Sequence, residues 1–140
     1  MLETFETVAK AVADPSRMRI LKLLEGGELC VCQIVAVLDL APATVSRHLA
    51  LLKTAGLLQQ RRSGKWAYYR IADKEFNDYA QRFLALARAS LVEDPTVAGD
   101  RRTLARVNAV PLAVLCQHGR ATLGRDDEAA EANACRGEPA

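Results

Sequence analysis

Two cysteines one residue apart, Cys30 and Cys32, stand in the run ELCVC at the start of an apolar stretch. Thiolates are soft donors that select thiophilic ions over magnesium or calcium. A disulfide within such a pair is disfavoured on a helix, because the two side chains point in widely different directions. The pair therefore suggests metal or redox chemistry rather than a structural bridge. Near a helix N-terminus, the positive end of the helix dipole favours the thiolate. The competing reading is two small residues filling space, since free cysteine is often buried as a small hydrophobe. Two more thiols, Cys116 and Cys135, lie far along the chain.

The pair opens an expected helix from Glu28 to Leu38, which would end near Asp39. Helical residues i and i+2 are about 200° apart. Both sulfurs can meet one ion only if the helix start unwinds or never forms regularly. Capture of an ion is thus expected to distort this helix, which leads through Asp39 to Ala41 into a second one. A ligand that prefers the distorted state shifts the population away from the undistorted one.

The second helix runs from about Pro42 to Ala55, with Gly56 as its stop. Val45, Leu49 and Leu52 share its apolar face. Thr44, Arg47 and His48 lie on the outer face, with Ser46 near the first turn. Ala41 at the expected N-cap offers no side-chain oxygen, while Pro42 pre-sets the first turn. Two helices joined by a short turn, the second polar outside, make a helix-turn-helix candidate. Leu57 to Arg62 and Lys65 to Ile71 then read as a hairpin around Ser63-Gly64. Between Arg47 and Arg70 stand six basic residues and no acid (Arg47, Lys53, Arg61, Arg62, Lys65 and Arg70), a pattern able to attract a phosphate backbone. The sum is a winged helix-turn-helix, mainly α with a small β-hairpin wing.

The flanking elements follow from caps and periodicity. Leu2 to Ala13 is a first helix with Leu2, Phe5, Val8, Ala9 and Val12 on one face. Asp14-Pro15 starts a second, to Glu25, burying Met18, Ile20, Leu21 and Leu24 and showing Arg17, Arg19 and Lys22 outward. Asp73 is expected to cap a long helix reaching Leu91, whose apolar stripe makes it a candidate dimer element. Asp94-Pro95 repeats the start signal, with Thr96 to Asn108 as a further helix. The expected organisation is residues 1–92 as a DNA-binding and dimerisation domain, 93–110 as an extra helix, and 111–140 as a mobile tail.

A chain of 140 residues, half of them hydrophobic and few aromatic, suits one compact helical domain with a tail. No apolar run reaches spanning length, and Met1 to Lys10 carries two glutamates without an apolar core. Neither membrane anchor nor signal peptide is expected, and the cytoplasm is the expected compartment. A thiol-disulfide enzyme built on Cys-Val-Cys is disfavoured by the lack of a βαβ pattern and of a polar substrate cluster.

The sequence resembles the arsenical-resistance repressor (ArsR) family, winged-helix dimers that release operator DNA when a metal or metalloid binds. The resemblance covers roughly Phe5 to Ile71. It rests on Asp14-Pro15-Ser16-Arg17, Glu28-Leu29-Cys30-Val31-Cys32, Ser46-Arg47-His48-Leu49-Ala50-Leu51-Leu52, Ala55-Gly56-Leu57, and Gly64-Lys65-Trp66 leading to Tyr69-Arg70. The run ELCVC is typical of the branch that senses trivalent arsenic and antimony. The resemblance implies a homodimeric repressor, not an enzyme, bound to an imperfect inverted repeat in operator DNA. Trivalent arsenic or antimony would be the inducer, with no organic cofactor. Thr44, Ser46, Arg47 and His48 would enter the major groove, and Lys53, Arg61, Arg62 and Lys65 would hold phosphates.

One departure stands out. That branch carries a third cysteine three positions after the second, and here the position is Val35. A three-sulfur site must recruit Cys116 or Cys135; otherwise two thiolates take a species with fewer open valences, such as a monomethylated arsenical. Cys116 is the preferred recruit, because it follows the apolar run Val110 to Leu115. The family's zinc branch needs histidines on the helix after the wing, and Asp73 to Leu91 has none. A thiol redox or persulfide sensor on the same scaffold is the alternative.

Overall fold

The computed structural model describes residues 1–73 and 76–123. The order is α1 (Leu2–Val12), α2 (Pro15–Leu24), β1 (Leu29–Cys30), α3 (Val31–Leu38), α4 (Pro42–Thr54), β2 (Leu58–Ser63), β3 (Trp66–Ile71), α5 (Asp78–Ala89), α6 (Pro95–Asn108), α7 (Leu112–His118) and a 3-10 segment, Gly119–Leu123. The core forms where α2 (Ile20, Leu21, Leu24), α3 (Ile34) and α4 (Val45, Leu49, Leu52) meet. The face expected of the second motif helix is thus fully buried. Val107 of α6 and Leu115 of α7 close the same core.

Caps set the helix starts. Asp14 accepts from the Arg17 N–H and Asp94 from the Val97 N–H, each followed by proline at the first helical position. Backbone hydrogen bonding of Arg17 holds the Asp14 carboxyl below its ordinary range. Between α3 and α4, Asp39 takes the left-handed conformation (φ 55°) and donates its N–H to the Val35 carbonyl. β2 and β3 are antiparallel, with Ser63 opposite Trp66 across Gly64-Lys65. The positive φ of Gly64 (60°) suits a two-residue hairpin turn.

Five expectations need correction. The helix expected from Glu28 starts at Val31, because Leu29 and Cys30 pair with Tyr69 and Tyr68 as the third strand of the wing sheet, ordered β1-β3-β2. Two residues carry no periodicity, so the strand left no trace in the pattern. The cap expected at Asp73 is Asn77 instead, and α5 begins at Asp78. Asn77 accepts from the Ala80 N–H and donates to the Ala55 carbonyl, so it fixes both α5 and the end of α4. Gly56 (φ 81°) lies against Asn77 and Phe76 so closely that a Cβ there would meet both at 3.0 Å. Lys22, expected outside, is 2% exposed, and its ammonium donates to the carbonyls of Ala87 and Ser90 and to Glu25. Of the tail expected over 111–140, residues 112–123 are helical and Leu115 is buried; 124–140, including Cys135, lie outside the described residues. Finally, most of the α5 stripe is used within the chain. Ala80, Leu84 and Ala87 are buried, and Tyr79 and Phe83 pack on Phe5 of α1. What remains open beside it is Leu2, half-exposed Phe5, Phe76, Leu86 and Leu91.

Candidate metal site and nucleic-acid interface

Cys30 stands at the N-cap of α3 with extended backbone (φ −74°, ψ 150°). Its N–H donates to Gln33 Oε1 at 2.8 Å, one half of a capping box whose other half is the Cys30 sulfur facing the Gln33 N–H. Cys32 lies one turn-step on, inside the helix. Because Cys30 is not helical, the angular separation expected between the two side chains does not arise. The helix start is thus already irregular where a shared ion would need it to be, and the two sulfurs lie within 4.8 Å of one another.

The third sulfur comes from α7. Buried Leu115 seats that helix on α3, and Cys116 follows it. The sulfurs of Cys30, Cys32 and Cys116 all lie within 4.8 Å of one another. No other set of three His, Cys, Asp or Glu ligand atoms is gathered this way among the described residues. Cys32 and Cys116 are joined as a disulfide with Cα atoms 5.2 Å apart, while Cys30 is a free thiol, 1% exposed. Reduction by two electrons and two protons leaves three neighbouring thiols, a donor set that suits a soft trivalent ion.

The C-terminal elements hold α3 at both ends. Gln33 Nε2 donates to Asn108 Oδ1 of α6 at 3.0 Å, and Arg120 pairs with Asp39 at 3.3 Å. Deeper in, Arg19 of α2 grips Asp100 of α6 through two hydrogen bonds of 2.9 and 2.8 Å.

The polar face is built on α4 and the wing. Thr44, Ser46 and Arg47 are exposed, and His48 is half-buried. Lys53 Nζ donates to Gln60 Oε1 at 3.0 Å, tying α4 to β2. Arg62 and Lys65 are exposed on the distal wing, Lys65 lying 5.8 Å from the Trp66 ring centroid. Arg61 is engaged differently. It makes a forked contact with Glu28, with hydrogen bonds of 2.9, 3.0 and 2.6 Å, and stacks over Tyr68. That hydrogen bonding holds the Glu28 carboxyl below its ordinary range. Glu28 precedes β1, and Tyr68 is the strand partner of Cys30, so the sulfur site and the wing share one sheet.

Two functional candidates escaped the sequence reading: Glu28, and Arg17, whose side chain, expected outward, is instead only 15% exposed. The Arg17 side chain donates to the Ala11 and Lys10 carbonyls and meets His48 of α4. The motif Asp14-Pro15-Ser16-Arg17 marked the place but not the reach to α4.

Residues 14–60 match the family model described as bacterial regulatory protein, arsR family. The HTH-type transcriptional regulator MJ1325 of Methanocaldococcus jannaschii is 45% identical over 76 residues, 51% of this chain and 85% of that one. The arsenical resistance operon repressor of Escherichia coli is 50% identical over 64 residues, 45% of this chain and 55% of that one. The chain thus spans little more than half the length of that repressor. Among solved structures, the homodimeric winged helix-turn-helix DNA-binding domain Mb0332 from Mycobacterium bovis, described as a possible ArsR-family regulator, matches with a TM-score of 0.54 and 36% identity. That match covers 63% of this chain and 78% of the other. The family match ends before α5, so Cys116 and its helix stand outside it. Helix-turn-helix, paired wing and these likenesses agree: the chain belongs to the ArsR family of winged helix-turn-helix transcriptional regulators.

Proposed function

We propose that this regulator is a homodimeric repressor that leaves its operator when trivalent arsenic or antimony binds Cys30, Cys32 and Cys116 of one subunit. The convergence of those three sulfurs carries the reading. The name of the E. coli relative agrees with it. Capture of arsenite replaces three As–O bonds with three As–S bonds, and the three thiol protons leave in water. The step is redox-neutral and needs the Cys32–Cys116 bond reduced beforehand.

Thr44, Ser46, Arg47 and His48 read base edges in the major groove, and Lys53, Arg61, Arg62 and Lys65 hold phosphates. A two-fold dimer then meets an imperfect inverted repeat. The open apolar residues on α1 and beside α5 supply the dimer face, in keeping with the homodimeric description of Mb0332. Release follows from where the site is attached. Cys30 belongs to the wing sheet, Cys32 to the helix that leads into α4, and Cys116 to a helix packed on it. An ion that fixes all three sulfurs fixes the wing against the reading helix, and it lowers DNA affinity only as far as it prefers that arrangement.

The Cys32–Cys116 bond supports a second reading, a thiol redox sensor on the same scaffold. One titration separates the two. The reduced protein on its operator is challenged with arsenite, then in a separate sample with a thiol oxidant. Release by arsenite with the thiols kept reduced supports metalloid sensing; release by the oxidant alone, with indifference to arsenite, supports the redox reading.

A further inference from the structure

We propose that Arg17 is a positioning residue that holds His48 as the neutral Nε2–H tautomer, so that His48 offers DNA a fixed hydrogen-bond donor. This rests on the DNA-binding reading above and adds to it the chemical role of one side chain.

The Arg17 guanidinium is pinned. Nε donates to the Ala11 carbonyl at 2.7 Å and Nη2 to the Lys10 carbonyl at 3.1 Å, both at the C-terminal end of α1. The Arg17 backbone N–H is held by Asp14 Oδ1 at 3.0 Å. The remaining corner, Nη1, lies 3.2 Å from His48 Nδ1 and 3.9 Å from Asp14 Oδ2, which leaves it a donor to His48 while the carboxylate offsets its charge. A guanidinium has five donors and no acceptor. At that contact Nδ1 must therefore supply its lone pair, which leaves the ring proton on Nε2. No described residue is hydrogen-bonded to Nε2, and the Asp14 carboxylate is the acidic group that acts on the ring through its charge. His48 shares the half of α4 that bears exposed Thr44 and Arg47.

A neutral histidine is normally ambiguous, because either nitrogen can donate. Here one outcome is selected before any DNA arrives. A donor-only Nε2–H pairs with a phosphate oxygen, or with guanine O6 or N7, adenine N7 or thymine O4. It is refused by the exocyclic amino groups of adenine and cytosine. Arg17 thus links the α1–α2 corner to the choice of acceptor on the nucleic acid without touching the nucleic acid itself.

The test uses the full chain and a duplex selected from a random pool by the wild-type protein. Long-range proton–nitrogen correlation of the two histidine rings, with His118 as internal reference, reads the tautomer directly. His48 should show bare Nδ1 and protonated Nε2, and Arg17→Lys should return it to a mixture. In His48→Gln the amide nitrogen reaches the place of Nε2, whereas in His48→Asn it reaches only that of Nδ1. The glutamine variant should hold the duplex within about threefold of wild type, and the asparagine variant should lose about tenfold or more. A protonated Nδ1, or an asparagine variant that binds as well as the glutamine one, overturns the proposal and leaves the DNA-binding reading standing. A wild type that selects no duplex overturns both.

Discussion

Replacing Cys116 by serine removes one sulfur and leaves Cys30 and Cys32 in the wing sheet and α3. The expected loss can be worked from the geometry. In the wild type the third sulfur stays within 4.8 Å of the other two. A group confined to a sphere of that radius has an effective concentration on the order of 1 M. In the variant, the third arsenic valence must be completed by water or by a thiol from solution. With about 1 mM free thiol present, arsenite affinity should fall by roughly 1,000-fold, or about 4 kcal/mol. The assay is fluorescence anisotropy of labelled operator, titrated with arsenite at fixed thiol under reducing conditions. Monomethylarsenite is the internal control. It has two open valences, so it needs only Cys30 and Cys32 and should release both proteins alike. Equal arsenite midpoints for wild type and Cys116→Ser would show that the cluster in the structure is not the binding site.

Further outcomes follow from other contacts. Glu28→Gln weakens the hold on Arg61, which in the wild type must leave Glu28 to reach its phosphate; operator affinity at low salt should rise, with the slope of log K against log salt unchanged because the same phosphates are neutralised. Arg19→Leu leaves the 8%-exposed Asp100 without its cation; denaturant unfolding should show a loss of about 3 kcal/mol, with Asp100→Leu in the same chain restoring part of it. Asp14 has a folded pKa below its ordinary value near 3.8, so its contribution is present above that value and is lost as pH falls through the lower folded one. Asp14→Asn, which keeps a capping oxygen but carries no charge, should flatten the acid side of the stability profile over that range.

What could be read in advance follows the range of the forces involved. Asp14-Pro15 and Asp94-Pro95 announce helix starts through contacts three residues long, and both caps are present. The hairpin announces itself through Gly64 and the alternation beside it. The stripe Val45, Leu49, Leu52 fixes which face of α4 is buried, and therefore which face carries Arg47. By contrast, β1 exists only because β3 is there to pair with it. Asn77 outcompetes Asp73 as a cap because it also satisfies the Ala55 carbonyl, a contact 22 residues away. Lys22 is buried because the end of α5 supplies two carbonyls. The site divides in the same way. ELCVC is a local signal, but the approach of Cys116 depends on packing across 84 residues. The apolar run before it could suggest a seat on the core; it could not say that the seat would be α3.

The central claim is that loading the sulfurs and gripping DNA are opposed. The most direct measurement follows arsenic uptake and operator release in the same reduced sample, for the wild type and for a variant carrying Cys30→Ser and Cys32→Ser. The account predicts that wild-type release tracks uptake of one arsenic per subunit, while the variant takes up none and stays bound. A wild-type protein that is fully loaded and still holds its operator, or a variant that arsenite still drives off DNA, would contradict it.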